Sequence, residues 1–293
     1  MIIVTLVATL AAAMVWQQWR AVQVEAAERA RAQSAWILSG ALDFAKRILK
    51  EDKKTFTALT EPWATPLAEA RISTFLAADK SNADDGPEAF LSGNISDAQA
   101  RYNLRNLVTA DKVDAAAQLA TLAALCQAAG VETGIAQRIA DGMRDSISGT
   151  SAAAGLRPEK VAQLTWLGID MASIDALQPY VVILPDVTVI NVNTASKEVI
   201  AAVTGVDVAT AEHLTQVRQR TPFKDAASFV AQLPAAPPAT AKFDVRSFYF
   251  IVRGRLRLED RVLVEQSLVQ KQPNGDSKVL LRERVSSLEQ IGG

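Results

Sequence analysis

The sequence predicts an α+β protein: a long N-terminal helix packed on an antiparallel β-sheet, with a large all-helical domain inserted ahead of the final strands. Three observations predict it. An uncharged apolar run opens the chain and passes without a break into helically spaced residues out to about Leu49. Residues 110–235 are rich in Ala, Leu and Val and are interrupted by short glycine turns, whereas residues 248–258 alternate with period two. The chain has 293 residues, enough for two domains or one domain with an insertion. The expected divisions are 1–50, 51–109, 110–235 and 236–293. Apolar residues make up 49%, enough for a sizeable core, and a net charge of −1 provides no field for nucleic acid. One cysteine, Cys126, rules out an intrachain disulfide. With His213 as the only histidine, neither a Cys/His zinc site nor a His-based triad is expected, and no enzyme activity.

The first charged side chain is Arg20 and the first acid Glu25. Ile2, Ile3, Leu6, Leu10, Val15, Trp16 and Trp19 mark the segment as a membrane helix, and three readings compete for it. Ala11-x-Ala13 resembles a signal cleavage site, but no basic segment precedes it and Trp16 and Trp19 follow. A plain anchor is short, against the roughly 20 residues needed to span. The third reading is a helix half in the bilayer and half projecting from it. Leu38, Leu42, Ala45 and Leu49 form one apolar face of the projecting half. A helix over 1–50 would be about 75 Å long, so it needs membrane on one half and a packed domain on the other. The charge run Lys50-Glu51-Asp52-Lys53-Lys54 ends it.

Residues 55–89 read as loop-rich, with Pro62, Pro66, Pro87 and a polar run from Asp79 to Gly86. Asp84, Asp85 and Glu88 lack regular calcium-ligand spacing. Residues 89–107 read as a strand and turn followed by a second extended piece. Asn103 and Asn106 flank Leu104 and suit turns and caps.

Gly93-x-Ile95-x-Asp97-x-Gln99-x-Arg101-Tyr102-Asn103-Leu104-x-Asn106-Leu107 resembles the G-x-I-x-D-x-Q-G-R-F-N-L-N-N-L signature of the K subunit of type II secretion systems, a minor pseudopilin. Glu61-Pro62-Trp63-Ala64 matches the family's E-P-W-A. Trp36-x-x-x-Gly40-Ala41-x-x-Phe44-Ala45 matches its region of the first helix, and Ile190-Asn191-Val192-Asn193-Thr194-Ala195 is typical of it. Ala100 and Tyr102 depart mildly from the usual Gly and Phe. The resemblance implies a pilin-like fold with a single inner-membrane helix and a periplasmic head. It implies a place at the pseudopilus tip with the I and J minor pseudopilins, alongside the other pseudopilins and the inner-membrane platform. The work implied is priming assembly for export of folded proteins across the outer membrane. A pilin precursor also carries a basic leader ending in Gly, which leaves the register of the mature first residue open here. In the family picture an acid near each pilin's N-terminus pairs with the terminal amine of the subunit ahead. This sequence has none before Glu25, which suits a subunit with nothing above it.

The inserted region contains two expected helix-hairpin-helix (SAM-like) units. Leu119–Ala129 and Ile135–Met143 flank Gly130-Val131-Glu132-Thr133-Gly134, and Ser196–Val203 and Ala209–Gln219 flank Gly205-Val206-Asp207. Such units usually receive a phosphate, so the alternative function is a membrane-tethered DNA-binding protein of the competence type. Glu132 and Asp207 stand where the DNA-binding hairpin prefers glycine, and no nucleic acid is expected. The family often carries an acidic calcium loop. Only Asp141 and Asp145 remain at the equivalent place, too few for an ion that takes six or more oxygens. No cofactor is otherwise expected.

After Pro237 and Pro238 the chain turns to strand. Phe248, Phe250, Val252, Leu256 and Leu258 are expected to face the first helix. Arg253, Arg255 and Arg257 are expected on a solvated face, with Glu265 and Glu283 beside them for pairing. Glu259-Asp260 and Pro273-Asn274-Gly275-Asp276 are turns leading to strands over 261–270 and 278–285.

Overall fold

The structure is a computed structural model and describes residues 1–52, 55–72, 89–148, 156–258 and 261–285. Lys53 and Lys54, Pro87, the acidic run with Asp84, Asp85 and Glu88, the stretch 149–154 and the Glu259-Asp260 turn lie outside the described residues.

The first helix, α1 (Ile2–Glu51), is one unbroken element of 50 residues. Its apolar face at 38, 42, 45 and 49 is buried, as the spacing predicts, and Ser34 joins it through a bond from its hydroxyl to Ala30 O. Asp52 leaves the helix in an extended conformation. The helix end is clasped to the sheet. Lys50 pairs with Asp276 at 2.7 Å, and Lys271 Nζ donates to Asp52 O at 2.7 Å.

Five strands form an antiparallel sheet in the order β1-β2-β7-β8-β9. They are β1 (Leu67–Arg71), β2 (Ala89–Asp97), β7 (Tyr249–Leu258), β8 (Arg261–Lys271) and β9 (Ser277–Val285). β1 is a short strand within the stretch 55–89 that reads as loop-rich. Pro62–Ala64 forms a 3-10 turn, and the following residues add an edge strand to β2. Strand β7 runs back along α1. Phe250 shares a cluster with Leu49, whereas a Cβ on Gly254 would sit 3.2 Å from Leu38 Cδ2. Glycine at 254 therefore lets the helix approach the strand closely. Leu42, Ala45, Leu49, Trp63, Ile95, Phe250, Val252 and Val269 fill the interface. Trp63 and Phe250 meet edge to face with centroids 5.3 Å apart. Each fully buried large side chain here contributes about 1.5–3 kcal/mol over its exposed state.

One expectation for β7 is corrected. Phe248 precedes the strand and is 41% exposed, so it does not cover α1. Tyr249, on the opposite face, is buried, because Ala98, Val182 and Leu184 cover that end of the sheet from the other side. With both faces covered, alternation no longer tells inside from outside. The arginine pairing also differs. Glu265 stands opposite Gly254 and so shares the α1 face, where it pairs with Arg282, and Glu283 pairs with Lys160. Arg257 pairs with Glu69 of β1 at 2.7 Å and lies over Phe90.

The helical region lies between β2 and β7. It contains α2 (Lys112–Ala128), α3 (Gly134–Ser148), α4 (Met171–Leu177), α5 (Lys197–Thr204), α6 (Val208–Arg220) and α7 (Ala226–Val230). Helix pairs stand where the two glycine turns place them. Gly130 (φ 69°) follows α2, and Gly205 (φ 77°) ends α5 in the left-handed conformation. The expected second extended piece is only β3 (Tyr102–Asn103), followed at once by a 3-10 turn, Leu104–Leu107. β3 pairs in parallel with β4 (Val181–Val182), and β5 (Ile190–Asn191) with β6 (Phe243–Asp244).

Candidate functional site

Two places stand out: a polar joint between the sheet and the helical region, and the unburied length of α1.

The joint is built from the two sequence motifs, about 90 residues apart, which hydrogen-bond to each other. Asp97 ends β2 and is buried. Its Oδ1 accepts from Gln99 N at 2.8 Å. Its Oδ2 accepts from Asn191 Nδ2 at 3.0 Å and from the hydroxyls of Thr194 and Ser247, both at 2.5 Å. Asn191 Nδ2 also donates to Thr57 O, and Thr57 Oγ1 accepts from Ser247 N. One carboxylate thus ties together the segment after α1, the end of β2, the start of the helical region's second half and the lead into β7. Burial raises the Asp97 pKa above the usual carboxylate value against the pull of these four donors. Burial lowers that of Arg101, whose charge the Asp97 carboxylate favours.

The remaining signature residues extend the joint. Gln99 Oε1 accepts from Phe248 N and Tyr249 N, while its Nε2 donates to Val189 O. Asn103 Oδ1 accepts from Arg105 N and Leu184 N, and its Nδ2 donates to Asp186 O. Asn106 exchanges two bonds with the Thr188 backbone, and Asn193 exchanges two with that of Phe223. An Asn side chain mimics a peptide group, so these residues pair with loop backbone that no strand reaches. Tyr102, Leu104 and Leu107 then enter the core of the helical region. Gly93 pairs with Gly254 across β2 and β7, and a Cβ on Gly93 would come within 2.5 Å of Arg253 O. In the other signature stretch, Pro62 starts the 3-10 turn and Trp63 is buried. Glu61 Oε2 accepts from Ala58 N and from Trp63 Nε1 at 2.7 Å. The sequence marks Asp97, Gln99, Asn103 and Asn106 but not their partners Thr57 and Ser247, which stand in no recognisable pattern.

The hairpin turns offer no phosphate cradle. Asp207 caps α6, its carboxylate accepting from Thr210 N at 2.9 Å and Thr210 Oγ1 at 2.7 Å, and these bonds lower its pKa. An incoming phosphate would meet this charge at the helix terminus. Glu132 lies over the start of α3, near Gly134. The Asp141 carboxylate is engaged by Gln137 and Arg144, one turn from Asp145 on α3. Among the described residues, no group of three or more His, Cys, Asp or Glu could hold a metal ion. His213 lies exposed on α6, and Cys126 is buried, where burial pushes its thiol up to about 11.

No side chain of α1 before Ser34 is buried. Ile2, Ile3, Leu6, Leu10, Val15, Trp16 and Trp19 are all more than half exposed. The helix is long and apolar enough to cross a membrane. The Arg20 guanidinium lies 5.0 Å from the centre of the Trp16 ring, an amphipathic pairing suited to the edge of a bilayer.

Two family profiles, both described as type II secretion system protein K, match residues 100–186 and 190–246. Asn103 and Asn106 of the joint fall in the first segment and Asn191 and Thr194 in the second, while Asp97, Gln99 and Ser247 lie just outside them. Type II secretion system protein K of Pseudomonas aeruginosa strain PAO1 is 27% identical over 313 residues, covering 97% of this chain and 90% of that one. The GspK–GspI–GspJ complex from the type 2 secretion system of enterotoxigenic Escherichia coli contains a chain of similar fold. The TM-score is 0.70 at 20% identity, covering 89% of this chain and 99% of that one.

Proposed function

We propose that this chain, which belongs to the type II secretion system protein K family, works as a minor pseudopilin. It is anchored in the bacterial inner membrane by α1, carries a periplasmic head, and sits at the pseudopilus tip with the I and J subunits. The observation that carries this reading is the division of α1. One continuous helix presents an apolar surface with nothing on it at one end and is packed on an antiparallel sheet at the other. A helix of this kind serves a subunit that must live in a bilayer and also join a fibre. The related chain's presence in a complex with GspI and GspJ supports the same partners here. The large helical region favours the tip, since its bulk beside the sheet obstructs further stacking. The expected divisions of the chain and the joint residues belong to this proposal: Asp97, Gln99, Asn103 and Asn106 hold the helical region on the pilin-like part. The test is co-purification of the full chain, in mild detergent, with the I and J pseudopilins of its own system, together with secretion in a strain lacking the chain. A ternary complex and restored secretion are expected. A chain that binds neither partner would refute the proposal.

A further inference from the structure

On the side of the sheet turned away from α1, β7 presents a row of cations. Gly254 lies against Leu38 of α1, so Arg253 and Arg255 on either side of it, and Arg257 beyond, project from the opposite face. Residues two apart on a strand stand about 7 Å apart, which sets the spacing of the row. The helical region covers this face only at the far end, where Ala98, Val182 and Leu184 pack on Tyr249 and Ile251. The three arginines are half-buried. Across the sheet, Arg253 stands between Asn94 and Gln266, and Arg255 between Ser92 and Val264. The row is short of counter-charge. Glu69 serves two arginines, 2.7 Å from Arg257 and 3.6 Å from Arg255, and Glu283 is taken by Lys160. Among the described residues, Arg253 belongs to no ion pair, and the Nε groups of Arg253 and Arg255 are buried without a hydrogen-bond partner. Buried donors left unpaired are costly and neighbouring like charges repel, so an anion that answers both is favoured. The last guanidinium of the row is held in place, since Arg257 lies 4.0 Å from the centre of the Phe90 ring, with Arg71 5.6 Å from it.

We propose that this face is a docking strip for an extended acidic segment of another protein, lying along β7 with a carboxylate at every second residue. In an extended chain alternate side chains share one face about 7 Å apart, the spacing of the arginines. Successive carboxylates therefore meet Arg253, Arg255 and Arg257 in register, each against a guanidinium fork. Ser92, Asn94 and Gln266 flank the strip with donors and acceptors for the backbone of the segment. Two other polyanions fit less well. About 28 Å of helix separates Trp19 from Leu38, which lies beside the row, and exposed charges are screened over roughly 8 Å, so lipid headgroups are out of reach. A nucleic-acid strand needs bare aromatic faces for its bases, and Phe90 is already covered by guanidinium groups. The strip lies across the sheet from α1 and adds a binding activity to those of anchoring and assembly.

The probe is a fluorescently labelled synthetic peptide in which Glu-Ser is repeated four times, titrated with the full chain in mild nonionic detergent. A comparison peptide, Glu-Glu-Ser-Ser repeated twice, has the same composition and charge but places only half its acids on one face when extended. Fluorescence anisotropy is expected to show the alternating peptide binding at least tenfold more tightly than the comparison, with affinity falling as salt rises. Arg253→Gln combined with Arg255→Gln is expected to weaken binding at least tenfold and to leave the thermal melt in place or higher, because neither Nε gives up a bond. Arg220→Gln combined with Lys224→Gln, an equal change of charge at exposed positions by the end of α6, is expected to leave binding unchanged. Equal affinity for the two peptides, or equal loss in the two double variants, would overturn the inference. So would tighter binding of an oligothymidylate of the same charge, or no binding at low salt. The I and J subunits take no part in this titration, so such a failure leaves the proposed function standing, and that function falls only by its own co-purification.

Discussion

From Ile2 to Gln33 no side chain of α1 is buried, whereas from Ser34 to Leu49 every third or fourth one is. Both halves are apolar and helical, and they differ in how the apolar residues are arranged. From Ile2 to Trp19 they run all round the helix, which suits a bilayer. In the upper half they gather on the side facing Phe250, Val252 and Trp63. A helix can therefore belong to two solvents at once if its hydrophobic pattern changes from a cylinder to a stripe.

The largest effect that separates the halves is a truncation in each. Leu49→Ala is expected to destabilise the head by about 2–5 kcal/mol, because it empties a closed site. Leu10→Ala is expected to leave the head's thermal melt where it is. Equal effects would mean that the two halves are not independent. Next in size is Asp97→Asn, which places an NH₂ group against donors from Asn191, Thr194 and Ser247. A loss of about 1–3 kcal/mol is expected in urea unfolding of the head. The pH dependence has a definite sign. The folded pKa of Asp97 is raised, so its contribution is full below the ordinary value of 3.8 and is lost as pH rises through the folded pKa. The gap between native chain and variant should therefore be widest near pH 4 and narrow toward neutrality. A gap that widens instead would show that the four donors outweigh burial. The smallest effect is at the exposed caps. Asp170, Asp207 and Asp225 have lowered pKa values, so their contribution is present above the ordinary 3.8 and lost as pH falls through the folded value. Asp207→Asn keeps a capping residue but removes its titration, so the decline in melting temperature below about pH 4 should become shallower.

Much of this was legible in the sequence for a physical reason: regular patterns report regular environments. The period of Leu38, Leu42, Ala45 and Leu49 located the packed face of α1, and Gly130 and Gly205 located the turns between paired helices. The failures lie where an environment changes within an element. Phe248 kept the period of β7 one residue past the strand's start, and Tyr249 lost its contrast because both faces are covered there. Glu265 was placed beside the arginines because it lies on a neighbouring strand, yet pairing opposite Gly254 puts it on the other face. β1 went unseen because Leu67–Arg71 is short and is an edge. The signature's residues were visible through their resemblance. That Asp97 bonds to Asn191 and Thr194 was not visible, because a contact spanning 90-odd residues leaves no local period to read.

The clasp at the top of α1 has a mechanical consequence. Lys50 grips Asp276 and Lys271 grips Asp52, so the helix end is fastened to the β8–β9 hairpin, while β7 lies lengthwise along the helix below. Tension arriving along α1 from the membrane would therefore run parallel to the strands. The ladder bonds of β7 would be loaded together, in shear, rather than one after another as in a zipper. A head built this way can be drawn up or pushed out by its helix and arrive with its fold intact.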